Sequence, residues 1–138
     1  KAENNIDIVN KLTEEGHLIG NHGYTHLNGW KTGTKEYLLN ASKADAFTSA
    51  ELFRPPYGKM RMPQYRQISS RYRLVMWSLM SYDFDTSLAR NEVEGILKRN
   101  VRKGRIIVMH DKPSAKAWEL IDEFIPWCHE RGYRFVLL

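Results

Sequence analysis

The sequence predicts an α/β fold in which helices pack outside a parallel sheet, and three observations predict it. Short apolar runs of strand length alternate with segments whose apolar residues recur at helical spacing. The connections between them are short, as in βαβ units. Polar side chains able to do chemistry fall just after the apolar runs, where the C-terminal ends of parallel strands gather their sites.

The elements follow in order. Ile6, Val9 and Leu12 mark a helix over about residues 3–16, stopped by Gly16 before a strand at His17-Leu18-Ile19. A polar loop rich in glycine and asparagine leads to a helix over about 34–47 and a short strand at Leu52-Phe53. Consecutive prolines in Arg54-Pro55-Pro56-Tyr57-Gly58 end that strand, since they can continue neither helix nor central strand. A helix near 62–70 precedes a strand at Leu74-Val75-Met76-Trp77 and a polar loop holding Asp83 and Asp85. Val93, Ile96, Leu97 and Val101 form one face of the next helix, and Ile106 to Met109 a strand ending in His110-Asp111. Beyond Pro113, the stripe Trp118, Ile121, Phe124, Ile125 and Cys128 predicts a helix kinked or interrupted at Pro126. Gly132 closes it before a last strand, Tyr133 to Leu137. This gives about five strands, fewer than the eight of a closed barrel.

At 138 residues and 42% hydrophobic, the chain is the size of one globular domain with a core of its own. Its apolar runs are far shorter than a membrane span. The first residues carry no charged-then-apolar leader, and localisation stays open. Cys128 is the only cysteine, which excludes an internal disulfide and a multi-cysteine zinc site. The net charge of +5 suits an acidic polymer or nucleic acid, but the basic residues are scattered and no nucleic-acid motif accompanies them, so no nucleic-acid partner is expected. Nothing in the sequence fixes an oligomeric state.

Four groups of residues could carry chemistry. His22 and His26, four apart in Asn21-His22-Gly23-Tyr24-Thr25-His26, are either two surface histidines or a ligand pair for zinc, cobalt or nickel. Arg54 and Tyr57 either belong to a rigid turn or hold a cation and an oxyanion donor at a pocket mouth. His110 either ends a buried strand or serves as a general acid, with Asp83, or else Asp85, orienting its ring. Trp30, in the loop after the histidine pair, is a packing residue or a face for a sugar ring. His17 and His129 read as surface or structural residues, and Cys128 as core.

Taken together, these segments resemble the polysaccharide deacetylases of carbohydrate esterase family 4, which include peptidoglycan and chitin deacetylases and xylan esterases. The resemblance is carried in order by Glu15 to His26, by Leu52 to Gly58, by Val75-Met76-Trp77-Ser78 through Asp83-Phe84, and by Ile107 to Asp111. It implies an incomplete, distorted (β/α) barrel. It also implies that His22 and His26 bind a divalent metal, zinc foremost, and that Arg54 orients the catalytic base. Tyr57 would donate its backbone N–H to an oxyanion, Asp83 would tune the general acid His110, and Val108 would line an acetyl pocket. Phe84 stands where many members have tryptophan and would keep an aromatic groove wall. The implied reaction is removal of acetyl groups from an N-acetylated polysaccharide, at the cell envelope or outside the cell.

One family feature is absent. Members begin with a strand and a Thr-Phe-Asp-Asp-Gly motif that supplies the base and the third metal ligand, whereas this sequence has no adjacent aspartates. The expectation is that residues 1–138 form such a domain without its first strand and that this chain alone is inactive or nearly so. The alternatives are a non-catalytic carbohydrate-binding domain derived from a deacetylase, and an acetylxylan esterase using the same residues.

Overall fold

The computed structural model describes residues 2–48 and 51–138. The chain divides into two compact units, residues 1–76 and 77–136, with Leu137 grouped with the first and Leu138 with the second.

In the first unit, a 3-10 turn at Ala2–Asn5 opens into α1 (Ile6–Glu14). The helical spacing of Ile6, Val9 and Leu12 is realised, but α1 buries none of its residues. Next come α2 (Thr34–Ala44), a 3-10 turn at Asp45–Phe47, β1 (Leu52–Phe53), a 3-10 turn at Pro56–Gly58, α3 (Met62–Ser69) and β2 (Arg73–Leu74). β1 and β2 pair in parallel, Leu52 opposite Arg73 and Phe53 opposite Leu74. The strand expected at His17-Leu18-Ile19 shrinks to one parallel bridge, Asn21 to Phe53, in which Asn21 N–H donates to Leu52 O (2.7 Å) and Arg54 N–H to Asn21 O (2.9 Å). Leu18 is exposed, and a parallel strand needs a neighbour on which to lay its ladder.

Phe53, 1% exposed, centres this unit's core with Tyr37 and Ala41 of α2, Ile68 of α3, and Tyr72. The Phe53 ring meets Tyr37 and Tyr72 at centroid distances of 6.3 and 5.5 Å, the offset geometry that aromatic quadrupoles favour.

A second anchor joins the loop at 28–32 to the segment at 59–64. Gln64, fully buried, donates from its amide nitrogen to Gly29 O and Thr32 O (3.0 Å each) and accepts from Arg61 N–H (2.8 Å). Gly29 is required for this approach, because a Cβ there would stand 2.7 Å from Gln64 Oε1 and 2.9 Å from Met60 Cα. Gly29→Ala is accordingly expected to lower the unfolding free energy by about 2–3 kcal/mol in a urea titration. An unchanged midpoint would mean that the two segments do not close on each other.

The second unit contains β3 (Leu79–Met80), α4 (Arg90–Asn100), β4 (Ile107–Val108) and α5 (Ala117–Glu130). β3 and β4 pair in parallel, Leu79 opposite Ile107 and Met80 opposite Val108. β3 was not expected: Ser78 and Ser81 punctuate the segment and give it the look of a polar loop. Its backbone nonetheless joins the ladder, with Leu79 N–H donating to Ile106 O (3.1 Å) and Ser81 N–H to Val108 O (3.2 Å). The core comprises Leu79 from β3, Val93 and Leu97 from α4, Val101, and Leu120, Phe124 and Cys128 from α5. Burial pushes the Cys128 thiol up, which keeps it protonated and inert, as a core cysteine should be.

Three expectations fail here in whole or in part. α5 runs through Pro126 without interruption, because Pro126 lies on the exposed side, where water can satisfy the carbonyl it leaves without a donor. The buried stripe is Ala117, Leu120, Phe124 and Cys128, which leaves Trp118 67% exposed. The last strand, Tyr133 to Leu137, does not form: no residue beyond Val108 joins a ladder among the described residues. Alternation of size and apolarity there is not matched by a partner edge, and Phe135, Val136 and Leu137 are exposed. Among the described residues, four short strands in two pairs thus replace the expected five, and the observed class is α/β with few strands. No helix among the described residues is long and apolar enough to cross a membrane.

Candidate functional site

The candidate residues fall into two constellations, one in each unit. The first is built on Asn21, 1% exposed, whose bridge to β1 fixes where the histidine loop begins. Its side-chain nitrogen donates to Ala41 O and Asp45 Oδ1 (2.8 Å each), and its Oδ1 accepts from Gly23 N–H (2.8 Å). Asp45 in turn accepts from the Tyr72 hydroxyl (2.6 Å) and pairs with Arg71 (2.6 Å). Burial, reinforced by the bond to Asp45, pushes the Tyr72 phenol up to about 12, so it remains a donor at any physiological pH.

From this anchor His22 projects with Nδ1 2.6 Å from Arg54 O. A carbonyl can only accept, so Nδ1 carries the proton and Nε2 keeps its lone pair. His26 Nε2 lies 3.1 Å from His22 Nε2, with the ring centroids 4.8 Å apart. Two nitrogens bound to one zinc in tetrahedral geometry would stand about 3.3 Å apart, given bonds of about 2.0–2.1 Å. The pair therefore fits two positions of a divalent-metal site, and its carbonyl-tied tautomer is the one such a site needs. No cluster of three or more His, Cys, Asp or Glu side chains suited to a metal occurs among the described residues.

Arg54 serves this loop through its backbone, while its side chain turns to Val75, donating from Nε to Val75 O (3.1 Å). Desolvation lowers the Arg54 guanidinium from its ordinary value, but arginine remains charged at any working pH. Among the described residues it forms no ion pair with a carboxylate. The Tyr57 ring packs edge-on against His26 at 4.6 Å. Both residues hold left-handed backbone angles, φ 57° at His26 and 59° at Tyr57, which cost an L-residue free energy and gather at sites where geometry outranks comfort. Trp30 lies in the same unit, 59% exposed, so it is no packing residue.

In the second unit, the parallel pairing of β3 and β4 brings the segments after their C-terminal ends together. Asp83, fully buried, accepts from the Ser81 hydroxyl (2.7 Å), from His110 Nδ1 (2.8 Å) and from the His110 backbone N–H (2.7 Å). Burial works to raise its pKa, yet these hydrogen bonds outweigh it and hold the carboxyl below the usual carboxylate range. His110 thus keeps Nδ1–H on the carboxylate and turns Nε2 outward, with its side chain 36% exposed. Asp85 is otherwise engaged, its carboxylate accepting from the Ser87 hydroxyl (2.6 Å) and N–H (2.9 Å), so Asp83 alone orients the ring. The Phe84 ring stands edge-on to His110 at 4.7 Å, and Val108 is buried in β4 two residues before His110.

Sequence reasoning passed over three contributors. Asn21 reads as loop punctuation, Ser81 as a polar spacer, and Tyr82 as nothing in particular. Yet Tyr82 has φ 61° and an exposed ring 6.3 Å from Phe84. Only the triplet Ser81-Tyr82-Asp83 itself, a hydroxyl two residues before a buried acid, held a readable signal.

An α/β scaffold that sets a facing histidine pair after a parallel bridge in one unit and a buried aspartate–imidazole pair after two parallel strands in the other belongs to the class of proteins whose polar sites sit at the C-terminal ends of parallel strands. Within that class, the chain belongs to the polysaccharide deacetylase family, whose sequence profile matches residues 1–77. It is 30% identical over 147 residues to a peptidoglycan-N-acetylglucosamine deacetylase of Bacillus cereus, covering 99% of this chain and 53% of that protein. It also matches the crystal structure of the Bc1960 peptidoglycan N-acetylglucosamine deacetylase, with a TM-score of 0.89 and 28% identity over 100% of this chain and 69% of that one. A family 4 acetyl xylan esterase from Clostridium thermocellum, solved with a cobalt ion, shares the fold with a TM-score of 0.84 at 24% identity, over 95% of this chain and 66% of that one. The chain spans about half the length of the Bacillus cereus relative.

Proposed function

We propose that this chain is part of a metal-dependent hydrolase that removes acetyl groups from an N-acetylated polysaccharide such as peptidoglycan or chitin, acting at the cell envelope or outside it. The observation that carries the reading is the facing of His22 Nε2 and His26 Nε2 at 3.1 Å in a chain of this family. These two nitrogens would hold a divalent ion, zinc foremost, with cobalt or nickel as substitutes. When bound, such an ion supplies Lewis acidity toward an acetyl carbonyl and its attacking water.

The remaining roles belong to the chain's own groups. Arg54 fixes His22 through its carbonyl and is assigned the orientation of a catalytic base. The Tyr57 backbone N–H is assigned to the developing oxyanion. His110, held by Asp83 with Nε2 outward, donates a proton to the departing amine, and the Asp83 carboxylate stabilises the imidazolium while it exists. Tyr57 and Trp30 of the first unit, and Phe84 and Val108 of the second, are assigned contacts with the sugar or its acetyl group. The products are acetate and a free amino sugar.

In this reading residues 1–138 form a deacetylase domain of the incomplete (β/α) barrel type, and no residue of the chain takes the part of the base or of a third ligand. Purified alone and supplied with zinc or cobalt, the chain is expected to release acetate from chitotetraose at no more than the background rate, because two ligands and no base leave the water poorly activated. Steady acetate release, followed by enzymatic assay, would overturn that assignment of parts. The second reading is a carbohydrate-binding domain derived from a deacetylase, without catalysis. A longer protein that carries this chain and releases acetate excludes it, and acetylxylan in the same assay separates ester from amide specificity.

A further inference from the structure

We propose that Trp30 and Lys59 form a preorganised subsite for a sugar ring bearing a carboxylate, so that an acidic N-acetylated glycan is held in preference to a neutral one. The proposal rests on the deacetylase reading and extends it to the kind of polymer.

Trp30 is exposed yet immobilised at every polar atom. Its backbone N–H donates to Asn28 Oδ1 (3.0 Å), its carbonyl accepts from Arg61 Nε (3.2 Å) and the Arg61 guanidinium terminus (2.6 Å), and its indole N–H donates to Met60 O (3.2 Å). The loop beneath it is closed by Thr32 Oγ1–H and Lys31 N–H, which both donate to Asn28 O, and by the buried Gln64 amide. Ordering a large side chain that stays in water costs entropy and returns little burial. A ring so fixed gives that cost back only when something stacks on it, because the ligand then binds without having to order the site. Since the indole N–H is already satisfied, the ring offers a face rather than a donor. A face of this kind suits the C–H surface of a pyranose.

The charge requirement comes from the neighbouring side chains. Lys59 Nζ lies over one face of the Trp30 ring, 4.8 Å from its centroid, so a sugar would stack on the other face with the ammonium close by, and Lys59 forms no ion pair with a carboxylate among the described residues. Residues 28–33 and 57–67 contribute Lys31, Lys59, Arg61 and Arg66 and not one acidic residue. An immobilised ring beside an unneutralised ammonium, in segments free of acidic side chains, fits a sugar carrying a negative group.

The test is a titration of the 138-residue chain with hyaluronan tetrasaccharide as the acidic glycan and chitotetraose as the neutral one, followed by NMR at the Trp30 indole N–H. At low ionic strength the acidic oligosaccharide is expected to bind about threefold to tenfold more tightly, and the gap should close at about 0.5 M salt. Trp30→Ala should weaken both by about tenfold, and Trp30→Phe should restore part of it. Lys59→Gln should abolish the gap while leaving chitotetraose unaffected. Equal affinities, a gap that survives Lys59→Gln, or binding indifferent to Trp30→Ala would each overturn the proposal. No bond is broken in this titration and no metal is added, so its failure leaves the deacetylase reading standing. A failed acetate-release assay would likewise leave the binding result intact.

Discussion

Asp83→Asn is expected to lower the unfolding free energy by about 2–4 kcal/mol and to remove most of the chain's acid sensitivity. The substituted amide keeps the shape of the carboxylate but replaces one acceptor oxygen by an NH2 donor, set either against the His110 backbone N–H or against the Ser81 hydroxyl and His110 Nδ1–H, in a place with no access to water. The pH dependence follows from the direction of the shift. A carboxyl whose folded pKa lies below its unfolded value, about 4, stabilises the fold above that value and loses this contribution as pH falls through the folded one. Urea midpoints measured from about pH 6 down to pH 2 should therefore fall steeply below about pH 4 for the parent chain and much less for Asp83→Asn. In a longer protein able to turn over, the same substitution should reduce acetate release by about 10²–10⁴-fold, since the imidazole would lose both its orientation and its counter-charge. A parallel acid limb in parent and variant would show that Asp83 is not ionised in this bond network.

His22→Ala is expected to weaken cobalt or zinc binding by about 10²-fold or more, read by competition with a chromophoric chelator and by the cobalt absorption bands. The side chain supplies one of the two facing nitrogens, and its removal also frees Arg54 O. Because His22 is exposed, the unfolding midpoint should move little, which separates loss of a ligand from loss of the fold. Unchanged metal content would remove the ligand assignment from both histidines.

Much of this was legible because the periodicity of apolar residues is imposed by what each element must bury. Val93 and Leu97 mark α4, and Leu52-Phe53 marks β1, in sequence as in structure. The chemistry-bearing residues were legible for a different reason: each follows a strand or, for the histidine pair, a single parallel bridge, and parallel pairing gathers such ends. Tyr133 to Leu137 misled because an apolar run specifies a strand only where a partner edge exists, and pairing is not a local property. The Asn21–Asp45–Tyr72 anchor escaped because its members lie 24 and 27 residues apart in sequence and meet only after α2 and α3 have packed. β3 escaped because two flanking serines outweighed two apolar residues in any local window.

Among the described residues, the three non-glycine residues with left-handed backbones, His26, Tyr57 and Tyr82, all lie in or beside the two constellations. Each is a position where glycine or asparagine would ease the chain and remove an aromatic ring the site employs. Selection for heat resistance alone would favour those replacements, so a lineage selected for stability alone should shed these rings before its core begins to drift.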